Sequence, residues 1–204
     1  MQINKIQNKG QARLFKSELM EQMTKTHPVV IYSIYIPLIA FMLYYGAAYK
    51  GLSISKELVL FVFGALVWSF YEYMMHRYLF HMISDSPRAK RILYTMHGVH
   101  HEFPRDKERL FMPPVPSFIA ASIVFSIIFF CIKWNALAFF PGFLLGYLMY
   151  GSMHFAIHSF APPKYMKALW RNHHLHHYKT PNKGFGVSST LWDVIFQTVP
   201  AKEE

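Results

Sequence analysis

The chain is 204 residues long, 53% hydrophobic and 18% aromatic, with only 16% charged residues. Laid out in long uncharged runs, that balance excludes an ordinary soluble domain and points to a single membrane-embedded domain over residues 1–204. A net charge of +10 raises nucleic acid as a partner, but the placement of the charges argues against it; the lone Cys131 excludes an intramolecular disulfide.

Residues 1–10 and 201–204 are polar and expected to be disordered. From Gln11 to Thr26, Ala12, Phe15, Leu19, Met20 and Met23 recur on one helical face, which predicts an amphipathic helix lying in the membrane interface or a short soluble cap. The first apolar run starts only at Pro28 and nothing before it reads as a cleavage signal.

Four stretches are long enough to cross a bilayer core of ~30 Å. They are Pro28 to Tyr49, Leu58 to Met75, Phe111 to Ile132 and Trp134 to Met153. The last two would reach about 65 Å as one straight helix, so a reversal is predicted at Lys133-Trp134-Asn135. With four spans and both termini on one side, 18 of the 21 Lys and Arg residues share that side, leaving Lys50, Lys56 and Lys133 opposite. This is the positive-inside signature, so both termini and the connecting segments are predicted to be cytoplasmic, in a bacterial inner membrane or the endoplasmic reticulum. The basic balance is thereby a topology signal, and nucleic acid is unnecessary.

Between and after the spans, Asp85-Ser86-Pro87 predicts a helix start with Ser86 as N-cap. Pro162-Pro163 opens a second short helix, which the Thr180-Pro181 step ends. The fold class is therefore all-α, with four transmembrane helices under a cytoplasmic helical cap.

Ten of the twelve histidines fall in four clusters on the predicted cytoplasmic side: His76 with His81; His97, His100 and His101; His154 with His158; and His173, His176 and His177. Positions i, i+3 and i+4 share a helix face, so each triple should direct three imidazoles into one small volume. His76 and His81, at i and i+5, should point about 140° apart. Imidazole is a common transition-metal ligand, and ten exceed one ion's coordination shell. Two ions with about five ligands each are expected, iron by the nitrogen-rich shells, with zinc possible in a purified sample. His27 reads as structural, and His174 as an intervening residue. Glu72, one turn before His76, is a candidate to orient that ring or an interfacial charge. Asp106 and Arg109 either hold the segment after the first triple or pair with each other on the surface.

The His76-Arg77-Tyr78-Leu79-Phe80-His81 run, the two triples and the Arg109–Pro116 segment with Met112-Pro113-Pro114 together resemble the fatty acid 2-hydroxylases of the fatty acid hydroxylase/sterol desaturase superfamily. The resemblance continues through Leu145-Gly146-Tyr147, His154 to His158, Gly184–Ser189 and Leu191-Trp192-Asp193, and covers roughly residues 13–200. It implies a non-haem di-iron site that uses dioxygen and two electrons to hydroxylate C2 of a fatty acyl chain, of a sphingolipid or its fatty acid, with those ten histidines as ligands. It also implies a separate cytochrome- or ferredoxin-type electron donor, because a fused haem domain would find no room here. Gly151 departs from the pattern, which leads one to expect an Asp. Rival readings are a carotenoid or sterol oxidase of the same chemistry, and a metal transporter, whose ligands would sit near mid-bilayer.

Overall fold

The computed structural model describes residues 6–201, and among them there is no strand. The helices are α1 (Glu18–Gln22), α2 (Pro28–Lys50), α3 (Ile54–Met74), α4 (Pro87–Leu93), α5 (Val99–Glu102), α6 (Pro114–Ile132), α7 (Ala136–Ser159), α8 (Lys167–Tyr178) and α9 (Leu191–Ile195). Of the termini expected to be disordered, residues 1–5 and 202–204 lie outside the described residues. Gln7 N–H donates to Glu102 O at 2.7 Å and Tyr178 OH to Asn8 Oδ1 at 2.7 Å.

Three stretches are long and apolar enough to cross a membrane: Pro28–Lys50, Ile54–Phe80 and Lys107–Ser159. The third breaks at Lys133–Asn135, where Lys133 takes a φ of 53°. There the chain reverses as the length argument requires, since Phe111 packs on Gly151 and Phe125 on Phe140. Helix α2 starts at Pro28, with the His27 ring accepting Val29 N–H, and ends on left-handed Gly51. His27 thus caps a helix, in line with a structural role.

Helix α7 is central. It runs parallel to α3 and antiparallel to α2, with Tyr35 edge-on to Tyr147. Lipid supplies no hydrophobic drive between helices, so close backbone approach matters. A Cβ on Gly142 would stand 1.8 Å from Phe61 O, and one on Gly64 would stand 2.0 Å from Phe139 O. Only glycine permits that contact. Helix α6 turns Val115, Phe118, Ile119, Ile123 and Ile127 outward, all exposed, at the spacing of one helical face.

The N-terminal segment corrects an expectation. Instead of one helix over Gln11–Thr26, only Glu18–Gln22 is helical. The Glu21 carboxylate accepts Leu14 N–H and Phe15 N–H, both at 2.9 Å, and also binds Arg109. Those local bonds compete with a helical ladder and fold residues 11–17 back, burying Ala12 against Val99 and Phe103.

Candidate metal centre

Helix α3 does not stop at Met74. It widens into a π-helical turn over Met75–Phe80, and His81 N–H bonds to His76 O at 3.3 Å. In such a turn, residues five apart come onto one face. His76 and His81 therefore join the same group, against the 140° expected for a regular helix. A second π turn, Tyr94–Gly98, leads into α5.

Ten imidazoles converge in two groups. One holds His76, His81, His97, His101 and His176; the other holds His100, His154, His158, His173 and His177. Within each group the candidate ligand nitrogens lie within 4.8 Å of one another, and each group could hold a metal ion. Neither triple acts as a unit. His97 and His101 face the first group while His100 faces the second; His173 and His177 face the second while His176 faces the first. Each triple thereby links the groups, whose edges meet where the His101 and His177 rings stack at 4.1 Å.

The donor set fits cations. In the first group, Nε2 atoms approach pairwise from His76 to His97 (3.1 Å), His97 to His101 (3.0 Å) and His101 to His176 (3.2 Å). In the second, His154 meets His100 (2.8 Å), His100 meets His177 (3.1 Å), and His173 meets both His177 (3.1 Å) and His158 (2.9 Å). His76, His176 and His154 direct Nδ1 at the carbonyls of Phe185 (2.6 Å), Lys183 (2.7 Å) and Leu110 (3.2 Å). A carbonyl only accepts, so these rings carry their proton on Nδ1 and turn an Nε2 lone pair inward. Burial first, then the neighbouring rings, holds His97, His100, His101, His173 and His177 well below the usual histidine range. The same causes push His81 to about 2, and burial with His81 pushes His176 to about 3. Neutral rings with converging lone pairs are what a transition-metal ion requires.

The other singled-out residues land differently. Glu72 has no hydrogen bond to His76; its carboxylate accepts Val187 N–H (2.8 Å), Ser188 N–H (2.9 Å) and Ser188 OH (2.5 Å). Asp106 and Arg109 pair at 2.5 Å, but buried, with Arg109 also bound to Glu21. His174 lies outside both groups, beside a polar cavity of about 590 Å³ that also touches His158, Arg105 and Lys107. Asp193 was not singled out on chemical grounds, yet it is fully buried and accepts Phe185 N–H and Gly186 N–H. The two glycines in Gly184-Phe185-Gly186 were the available signal. A Cβ on Gly151 would stand 2.1 Å from the Phe111 ring, so aromatic packing closes the position where a carboxylate was expected.

A second, mostly apolar cavity of about 620 Å³ starts at His97, His100 and His154 and runs between the long helices to Val124 and Phe140. From His154 to Phe140 along α7 is about 21 Å, roughly two thirds of a bilayer core. A mostly apolar channel of that length, ending on metal-competent histidines, suits an extended hydrocarbon chain.

Comparison with known proteins agrees. The fatty acid hydroxylase family model matches residues 61–198. The chain belongs to the fatty acid hydroxylase family. Among relatives of this hydroxylase, the dihydroceramide fatty acyl 2-hydroxylase FAH2 of Arabidopsis thaliana is 34% identical, over 92% of this chain and 80% of the relative. The human fatty acid 2-hydroxylase is 35% identical, over 92% of this chain and 56% of that protein. A solved structure of full-length scs7p, in which only the hydroxylase domain is visible, superposes with a TM-score of 0.87. It is 36% identical and covers 95% of this chain and 74% of that one. As a family member the chain is a hydroxylase, an oxidoreductase with a lipid substrate in a membrane setting.

Proposed function

We propose that this hydroxylase is a membrane-bound di-iron oxygenase acting at C2 of a fatty acyl chain held in amide linkage on a sphingolipid. The observation that carries the reading is the apolar cavity that ends on His97, His100 and His154. Each five-imidazole group holds one iron ion, with His76, His81, His97, His101 and His176 around one and His100, His154, His158, His173 and His177 around the other. The four long helices span the bilayer, with α6 and α7 as a hairpin, and the termini and the histidines face the cytoplasm.

Several features support this assignment. The histidines cluster at the ends of long apolar helices, at head-group depth, so an acyl chain lying along α7 brings carbons near its carbonyl to the ions. Among the described residues, Arg109 is the only Lys or Arg on the cavity wall, and Asp106 and Glu21 both pair with it. No described cation is left free there for a carboxylate, which favours a neutral amide over a free acid. Relatives named dihydroceramide and ceramide hydroxylases agree with that choice.

The reaction inserts one atom of dioxygen into a C–H bond; two electrons and two protons reduce the other atom to water. Bound iron would supply the dioxygen and redox chemistry, and a separate cytochrome- or ferredoxin-type carrier would supply electrons. The protein's part is positional. Its cavity walls align the chain and exclude water, and its neutral imidazoles keep the ion sites free of competing protons.

A chain loaded with zinc should bind two ions and give no product, since zinc cannot change oxidation state. Reconstitution with Fe(II), a reductant and oxygen should yield 2-hydroxyacyl lipid. Equal turnover by an iron-free zinc form would refute the oxygenase reading.

A further inference from the structure

The loop over residues 183–189 contains no histidine, yet its carbonyls set the orientation of two. Lys183 O accepts the His176 Nδ1 proton and Phe185 O accepts that of His76. Both rings belong to the first group. The loop's own amides are gripped by two buried carboxylates. Asp193 accepts Phe185 N–H at 2.9 Å and Gly186 N–H at 2.8 Å. Glu72, through Oε1 alone, accepts the next two amides, Val187 at 2.8 Å and Ser188 at 2.9 Å.

The grip is braced further. Thr198 OH donates to Asp193 at 2.7 Å and meets the Tyr73 hydroxyl at 2.9 Å. Arg77 in turn donates to that hydroxyl at 2.8 Å. Gly184 takes a left-handed φ of +73°, and a Cβ on Gly186 would stand 2.1 Å from Ser189 O. Bonds from four consecutive amides to two buried carboxyl groups make this loop a rigid part of the fold. Among the described residues the second group has no such loop: only His154 uses a carbonyl, Leu110 O at 3.2 Å, and Nδ1 of His100, His173 and His177 has no protein partner, as is also true of His101 in the first group.

We propose that Glu72 and Asp193 are positioning residues for the first histidine group: they clamp the 183–189 loop so that Lys183 and Phe185 fix the tautomer and ring direction of His176 and His76. Retention of the first ion then depends on the clamp, and retention of the second does not. The inference rests on the two-ion reading above.

The test uses the full chain in detergent, loaded with Zn(II), with ions per chain and release to a chromophoric chelator as readouts. The unaltered chain is expected to hold two ions; holding one would overturn the two-ion reading and this proposal with it. Given two, Asp193→Ala should hold close to one, with the other released roughly 10- to 100-fold faster, the usual effect of losing an orienting partner. Combining Asp193→Ala with His173→Ala should leave none, which identifies the retained ion as that of the second group. Glu72→Gln keeps an oxygen for both amides and should retain both ions, whereas Glu72→Ala should not. Ser188→Ala removes one hydroxyl bond without a charge, and should speed release of one ion only. If Asp193→Ala and Ser188→Ala, folded by thermal melt, keep both ions at the unaltered release rates or lose both alike, the clamp is refuted while the two-ion reading stands.

Discussion

Replacing Ala121 with Trp tests whether the apolar cavity is where the acyl chain lies. Ala121 lines that cavity, and the antiparallel α6–α7 register marked by Phe125 on Phe140 sets it level with Leu144. That level is about 15 Å from His154 along α7, against about 21 Å to the far end at Phe140. An indole there would shorten the usable channel by roughly 6 Å. Each methylene denied its apolar wall forfeits about 0.8 kcal/mol, and roughly 6 Å of extended chain carries about five of them, so the preference between chain lengths shifts by up to about 4 kcal/mol, on the order of 10³-fold. Competing short and long N-acyl lipids in one reaction, with mass spectrometry of the hydroxylated products, measures the ratio directly. Short chains should be hydroxylated at close to the unaltered rate while long ones fall behind. An unchanged length profile in an active, two-metal Ala121→Trp protein would refute this placement of the chain.

Gly142→Ala should force α3 and α7 apart, because its Cβ would fall 1.8 Å from Phe61 O. Overpacking of this kind costs about 1–3 kcal/mol, and a displacement on the order of 1 Å at a reacting centre can cost ~10²-fold in rate; thermal melts and turnover in detergent check both, with exposed Ser126→Ala as control. His100→Ala should abolish turnover, whereas His27→Ala, which removes only a helix cap, should keep most activity and lose about 1 kcal/mol by chemical denaturation. The metal-free protein should weaken in acid. His81 and His176 are held at about 2 and about 3 against an ordinary 6.5, so below 6.5 the unfolded chain binds protons that the folded one excludes. Stability should be flat above pH 7 and fall as pH drops, by up to about 2.7 kcal/mol per unit from these two rings; denaturant unfolding at pH 7.5 and 5.5 after chelation would show no difference if the rings were not buried neutral.

Much of the fold was legible in the sequence because its signals were local and strong. The uncharged runs marked the long helices, the length limit required the break at Lys133, and Ser86-Pro87 marked a helix start. Clustering of the histidines was legible for the same reason. Their apportionment was not. His76 and His81 share a group only because Met75–Phe80 is π-helical, and no regular period encodes a widened turn. The triples divide because His97 and His101 lie one turn apart while His100 points to the neighbouring group, a choice set by which helix packs opposite. For Glu72 the sequence offered only the nearby His76 or the membrane interface, because its actual partners, Val187 and Ser188, lie more than a hundred positions away. The N-terminal apolar spacing failed for a similar reason: Arg109, far along the chain, captures Glu21 and bends the segment.

The most direct test supplies the iron-loaded chain with an N-acyl sphingoid lipid, a reductant and ¹⁸O₂, and locates the label in the product by mass spectrometry. A single ¹⁸O at C2 of the acyl chain, absent from the zinc-loaded protein, is the expected result. Label confined to mid-chain or terminal carbons, or hydroxyl oxygen drawn from water, would contradict it.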